Sequence, residues 1–378
     1  MISTTAGETI NDRPVMGYIG RIPVRNLWFL MLYASDLFRA HAPKKVCVED
    51  NPDDIPDLVA EILCHHVEHR IHRNLSYGYQ SREAVLNRVR GRIDLFSTER
   101  HRLMDRGKIA CRFDALTVDT PRNRYVRTAL EAISRIVHRP GFAYRCRSLA
   151  GSFVRMGVTV ERPGRFDYSI HRFGRHDVQD QPMVAAAQLA LNLALPTEEA
   201  GTSYLSSPYR EDTWVRRLFE KGVAGFYDVV LSSRGWRVSA GKSLSWQIQD
   251  KSPGIDPILP SMRTDIILDH EETACRMVID TKFTAILTPG WYREETLRSG
   301  YLYQMYSYLM SQDGNGDPLN DHASGLLLHP AVGVMVNEWV KIQNHAIRFA
   351  TVDLTASTQE IREQLLRIVG IAPEKWSS

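Results

Sequence analysis

No run in the 378-residue chain approaches the ~20 consecutive apolar residues that a membrane-spanning helix needs. The opening segment MISTTAGETINDRP has neither the basic nor the apolar stretch of a secretory signal and reads as a disordered lead-in over 1–17. Cysteine is scarce: the five (Cys47, Cys64, Cys111, Cys146, Cys275) are odd in number, scattered and free of C-x-x-C spacing. That excludes a disulfide framework and reads as reduced, mostly buried thiols of a cytoplasmic protein. Charge of one sign is also missing, with 47 Lys plus Arg against 44 Asp plus Glu, so the net +3 decides little. Two nucleotide- and metal-binding motifs are incomplete. Gly241-Lys242-Ser243 imitates the end of a phosphate-binding loop, but that loop needs glycine at 236, where Trp236 stands. Asp313-Gly-Asn-Gly-Asp317 lacks the glutamate that would close a calcium loop and reads as a turn. If a nucleotide drives this protein's work, another subunit binds it.

What is present is an ordinary globular composition, 43% hydrophobic and 24% charged, in a chain long enough for two or three domains. Charge is unevenly placed: 16 Lys plus Arg against 7 Asp plus Glu between Ser81 and Ala150, a surplus of nine. Such a stretch binds phosphate or an acidic partner, or is neutralised from elsewhere in the fold. From Asn26 to Phe38 a largely apolar helix follows Ile22-Pro-Val-Arg; it is either buried or faces a partner subunit. Helices are expected over Asp57–His72, Asn123–His138 and Met183–Leu195. Cys64, His65, His66, His69 and His72 fan around the first, which reads as a solvated or partner-facing helix rather than a zinc site. Arg90, Arg92, Arg122 and Arg124 suit surface ion pairs or insertion into a partner's nucleotidase site. Pro196–Ser203 is the best linker, dividing residues 18–200 from 201–378.

The chemistry concentrates between Ser261 and Phe283, two strands joined by the polar turn Asp269–Thr273. Residues two apart in a strand share a face, so Asp280 and Lys282 project together, and Asp265 joins them if the strands pair as a hairpin. Two carboxylates and an ammonium at one point can hold a hard divalent cation and polarise a water beside it. The pattern D-(x14)-D-x-K resembles the metal site of the PD-(D/E)xK nuclease fold. Helical Glu220 stands where that fold often has an acid, and Gln304 and Tyr308 form the Q-x-x-x-Y of its RecB-type branch. Strands are further expected at Trp236–Ile248, Ala323–Leu328, Val332–Val336 and Ala346–Val352, with helices over 211–228, Glu294–Met310 and Glu360–Val369.

A second resemblance agrees. Ile22-Pro-Val-Arg-Asn-Leu-Trp-Phe with Tyr33-Ala34, then Val89–Asp94, Cys111–Arg124 and Met262–Phe283, are similar to the McrC family, nuclease subunits of McrBC-type restriction systems specific for 5-methylcytosine. The likeness implies an α+β or α/β chain: a mixed N-terminal partner-docking domain, then a PD-(D/E)xK core with a mixed central sheet flanked by helices. It implies a Mg2+-dependent DNA endonuclease. Asp265, Asp280 and Glu220 would serve the metal, Lys282 the chemistry, and Gln304 a supporting role. It also implies a McrB-like AAA+ GTPase hexamer, whose GTP hydrolysis the N-terminal half stimulates, and double-stranded DNA carrying modified cytosine. Two other readings stand beside it: an assembly and GTPase-activating subunit with a vestigial nuclease, and a stand-alone Mg2+ nuclease. The intact Asp…Asp-x-Lys argues against the first and the family-like N-terminal half against the second.

Overall fold

The computed structural model describes residues 18–19, 21–41, 54–159, 173–174, 177–201, 208–289 and 294–371. The expected lead-in at 1–17 lies outside these residues. The chain forms two compact units, one built from Met1–Pro52 with Leu195–Ser378 and the other from Asp53–Ala194. This differs from a single division near residue 200, and the opening helix supplies the reason. Val24–Ala34 is apolar almost all round and buries Leu27, Trp28, Phe29, Leu30, Met31, Leu32 and Tyr33 within the larger unit. Its main partner is the Pro208–Leu231 helix. Gly222 and Gly225 let the two backbones approach: a Cβ on Gly222 would lie 2.9 Å from the Leu30 carbonyl oxygen, and one on Gly225 would strike that of Tyr33. Asn26, fully buried, donates from Nδ2 to the carbonyls of Leu354 (2.7 Å) and Ala356 (2.9 Å). The asparagine of the opening motif thus fastens the helix to the chain after the last strand.

The core of this unit is a six-stranded mixed sheet. In order across it run Asn337–Ile342, His345–Val352, Ser324–Pro330, Cys275–Thr281, Ile266–His270 and Trp236–Ala240. Cys275–Thr281 pairs in parallel with Ser324–Pro330, which pairs in parallel with His345–Val352; the other pairings are antiparallel. The Ser299–Met310 helix packs Met305, Tyr308 and Leu309 against Val278, Ile267 and Leu327, closing a hydrophobic core. Gly325 makes room for Met305, whose sulfur would stand 2.7 Å from a Cβ there. The mixed sheet flanked by helices is the architecture expected, but the strand expected over Trp236–Ile248 is broken into Trp236–Ala240 and Ser243–Leu244, and another moves. Val332–Val336, β-branched and strand-like in sequence, is irregular, with Gly333 at φ 79° and Val332, Val334 and Met335 exposed. The edge strand is Asn337–Ile342 instead.

The smaller unit combines the helices Ile55–His72, Pro121–Ile133 and Pro140–Arg155 with a three-stranded antiparallel sheet. That sheet pairs Gly78–Leu86 with Ile109–Thr117, and the latter with Arg92–Ile93. Asp180, fully buried, accepts from Arg70 Nε at 2.5 Å and Arg122 Nη1 at 3.0 Å, while Arg124 forks onto Asp119 at 2.8 and 2.9 Å. Two of the four candidate arginines are therefore held in internal ion pairs. Arg90 instead lies over the Phe113 ring at 4.1 Å. The helix that opens at Gln181 runs to Gly201 rather than ending at Pro196, carried on by Glu198, Glu199 and Ala200, so the expected linker is partly helical.

Gly225→Ala should lower the unfolding free energy of the larger unit by about 1–3 kcal/mol through overpacking. Gly254→Ala, with open space around it, should not. Urea unfolding followed by tryptophan fluorescence checks the pair, and equal effects would dismiss the close helix approach.

Candidate active site

The Cys275–Thr281 strand lies inside the sheet with neighbours on both edges, so its last residues are enclosed by protein. Asp280 and Lys282 are accordingly buried, at 1% and 8% exposure. The antiparallel pairing with Ile266–His270 ends at Ile279↔Ile266, leaving Asp280 and Asp265 one step beyond it on the two strands. Asp265 sits in a break: Met262–Arg263 pairs separately with Ser243–Leu244, and the Gly241 amide donates to the Asp265 carbonyl at 2.8 Å. Gly241, at φ 64°, makes the matching break in the facing chain. Glycine, lysine and serine at 241–243 thus form a bend between strand pieces, with no helix behind it to bind phosphate.

Both hydrogen bonds to the Asp265 side chain fall on Oδ2: the Thr281 amide donates at 2.7 Å and the Thr281 hydroxyl at 2.8 Å. Lys282 Nζ stands 2.7 Å from Asp280 Oδ2. Apart from that ammonium, neither buried oxygen of Asp280 has a hydrogen-bond partner. Burial pushes the Asp280 carboxyl up to about 6; the Lys282 charge opposes the rise and the Asp265 charge adds to it. Glu220, half-buried on the Pro208–Leu231 helix, is also raised, first by burial and then by the Asp265 charge, with Arg263 working against both. Gln304 Nε2 donates to the Tyr308 hydroxyl at 2.6 Å, which donates to the Arg263 carbonyl at 2.8 Å. The Q-x-x-x-Y pair therefore braces the chain two residues before Asp265.

The fold brings Asp265, Asp280 and Lys282 together as the sequence spacing expects, and Gln304 reaches them through Tyr308. Glu220 is near enough to feel the Asp265 charge. Among the described residues, however, no three His, Cys, Asp or Glu side chains are grouped to hold a metal, so Glu220 does not complete a three-carboxylate set. Mg2+ commonly takes one or two protein carboxylates and keeps several waters. The otherwise unpartnered oxygens of Asp280 and the Oδ1 side of Asp265 fit that pattern. Tyr301 and His329 also line this corner without being singled out by motif. Tyr301 was within reach of the spacing, three before Gln304; His329 arrives only through sheet register.

These observations define a mixed α/β protein with a carboxylate–lysine cluster at one end of its central strand. Residues 2–320 match the model of the family described as McrBC 5-methylcytosine restriction system component, and the chain belongs to that family. It is 25% identical over 352 residues to the Type IV methyl-directed restriction enzyme EcoKMcrBC of Escherichia coli (strain K12), covering 92% of this chain and 97% of that one. A similar solved structure is the refined half-complex from the tetradecameric assembly of Thermococcus gammatolerans McrB AAA+ hexamers with bound McrC. It shares 13% identity and covers 92% of this chain and 76% of that one, with a TM-score of 0.39. No helix among the described residues is long and apolar enough to cross a membrane.

Because folding raises the Asp280 pKa, its stability contribution is whole below the unfolded value of 3.8 and is lost as pH rises through about 6. The loss amounts to about 3 kcal/mol at most. In EDTA, the Tm difference between wild type and Asp280→Asn should shift in favour of the variant from pH 4 to pH 7. A difference that stays constant across that range would contradict the burial argument.

Proposed function

We propose that this chain is the Mg2+-dependent endonuclease subunit of a modification-dependent restriction complex, cutting DNA phosphodiesters when driven by an AAA+ GTPase partner. The observation that carries the reading is the buried Asp280–Lys282 pair at 2.7 Å, with no other donor to either Asp280 oxygen beside Asp265. One ammonium offsets only part of the cost of sealing this carboxylate beside a second one, and a divalent cation would complete it. Asp265, Asp280 and the Thr281 carbonyl would hold Mg2+, with Glu220 reaching it through water. Bound there, the ion would supply Lewis-acid polarisation of a phosphate oxygen.

The chain's own groups do the rest. Lys282 brings a positive charge to the place where negative charge accumulates on the phosphate as water attacks. Its contact with Asp280 fixes that charge before substrate arrives. Thr281 holds Asp265 by two donors, so the carboxylate keeps one orientation. Gln304 and Tyr308 brace the Arg263 carbonyl and, with it, the entry into Asp265.

Membership of a 5-methylcytosine restriction family supports double-stranded DNA with modified cytosine as the substrate and a McrB-like AAA+ GTPase hexamer as the partner. Docking and GTPase stimulation fall to the Asp53–Ala194 unit in this reading. Tyr79, Phe96 and Leu116 on and beside its three-stranded sheet are exposed at 80%, 74% and 58% and would offer apolar contacts to such a partner.

With Mg2+, GTP and the co-purified partner, wild type should cut cytosine-methylated DNA and leave unmethylated DNA intact. Asp265→Ala, Asp280→Ala and Lys282→Ala should each abolish cutting while still stimulating GTP turnover. Equal cutting by wild type and Asp280→Ala would place the nuclease elsewhere. GTP stimulation without any cutting would favour the assembly-subunit reading. Gln304→Leu, which removes only the brace on Tyr308, should slow single-turnover cleavage by about 10–100-fold.

A further inference from the structure

Lys282 has a second neighbour besides Asp280. Its Nζ lies 5.3 Å from the centroid of the Tyr301 ring, inside the roughly 6 Å reach of a cation–π contact. Tyr301 sits on the Ser299–Met310 helix three residues before Gln304, so one helix face carries both. The Tyr301 ring also packs against the imidazole of His329, centroids 5.8 Å apart. His329 follows Leu328, the register partner of Thr281, and so stands beside Lys282 in the parallel ladder. The Lys282 amide donates to the Leu328 carbonyl at 2.9 Å, which pins the two chains together at that point.

His329 is itself fixed. It is buried, and its Nδ1 lies 2.8 Å from the Thr284 carbonyl oxygen. A carbonyl only accepts, so Nδ1 carries the hydrogen and the ring is in the Nδ1–H form. Burial, reinforced by the Lys282 and Arg298 charges, pushes its pKa down to about 4, so the ring is neutral at working pH and does not repel the ammonium.

We propose that Tyr301, seated against the Thr284-anchored His329, is a positioning residue for Lys282 and holds its ammonium beside Asp280 for cleavage. The inference rests on the endonuclease reading. Lysine carries its charge on a flexible four-carbon stem. Asp280 alone is a poor anchor for it, because a divalent cation on the same carboxylate competes for that oxygen and repels the ammonium. An aromatic face attracts the ammonium without using a carboxylate. Arg298 lies over the same ring at 5.9 Å, but it is exposed and belongs to the rim.

Two readouts test this on the full chain. The first is metal-free: brief acetic anhydride labelling, with peptide mass spectrometry reporting modification of Lys282 relative to exposed Lys251. Tyr301→Leu should raise Lys282 labelling several-fold, Tyr301→Phe should match wild type, and His329→Leu should move toward Tyr301→Leu. The second is single-turnover cleavage of methylated DNA by the complex with its GTPase partner. Tyr301→Leu should lose about 10–100-fold and Tyr301→Phe should stay within about two-fold, both with unchanged DNA binding and GTPase stimulation. Tyr301→Met, similar in size but without a ring, replaces Tyr301→Leu if the latter does not fold. Unchanged labelling in the ringless variants overturns the contact. Raised labelling with wild-type cleavage overturns the positioning role. Cleavage lost together with DNA binding assigns Tyr301 a structural role and overturns the proposal as well. Raised labelling in a chain that never cuts DNA sinks the endonuclease reading, and the positioning role goes with it.

Discussion

A carboxylate enclosed by a sheet on both sides, with a like charge beside it and a single ammonium as donor, cannot stay charged at low cost. Asp280 is in that position, and much around it can be understood as an answer to it. Lys282 supplies a counter-charge from two residues along the same strand. Asp265, the like charge one strand over, is turned by the Thr281 amide and hydroxyl so that one of its oxygens is already occupied. The break in the Asp265 strand, the left-handed Gly241 and the Tyr308 brace on Arg263 all serve to deliver that second carboxylate to the same corner. An energetically awkward group persists where surrounding structure over-determines it, and such groups gather where chemistry is done.

Several of these features could be read from residues alone, and others could not. Asp280 and Lys282 share a face because strand side chains alternate, and Asp265 faces them because the short turn Glu271–Ala274, with Asp269 and His270 already paired in the strand, closes a hairpin. Gln304 and Tyr308 meet because they are four apart on a helix. All of these are local periodicities. His329 belongs to the same corner by sheet register across a parallel crossover, which no local pattern encodes. The stretch Val332–Val336 shows the opposite failure: its β-branched residues imitate a strand, yet Gly333 in a left-handed conformation turns the chain and leaves them exposed. The paired residues begin one step later, at Asn337, in a sequence of mixed polarity suited to a sheet edge.

The opening helix poses the same problem at the scale of domains. Its all-round apolar surface allows burial in its own chain or against another, and composition does not choose. The choice lies in Gly222 and Gly225, nearly 200 residues away, whose missing side chains admit the helix backbone. A motif expected to belong to the partner-docking half therefore contributes its helix to the unit that carries the aspartates. The arginines of the basic stretch divide likewise: Arg122 and Arg124 are neutralised by Asp177, Asp180 and Asp119 within their own unit. A surplus of positive charge in sequence is thus only partly a surplus on the surface.

The Asn26 hydrogen bonds span 328 and 330 residues of chain, which has a consequence for synthesis. The first helix leaves the ribosome early, but the carbonyls it fastens to are made 328 and 330 residues later. Meanwhile the Asp53–Ala194 unit emerges whole and can fold on schedule. Until the Pro208–Leu231 helix and then the chain after His345–Val352 appear, Leu27, Trp28, Phe29 and Leu30 have no finished surface to join. The unit that carries the carboxylate corner therefore reaches its full setting only after the Asp53–Ala194 unit has been made and the carbonyls of Leu354 and Ala356 have followed it.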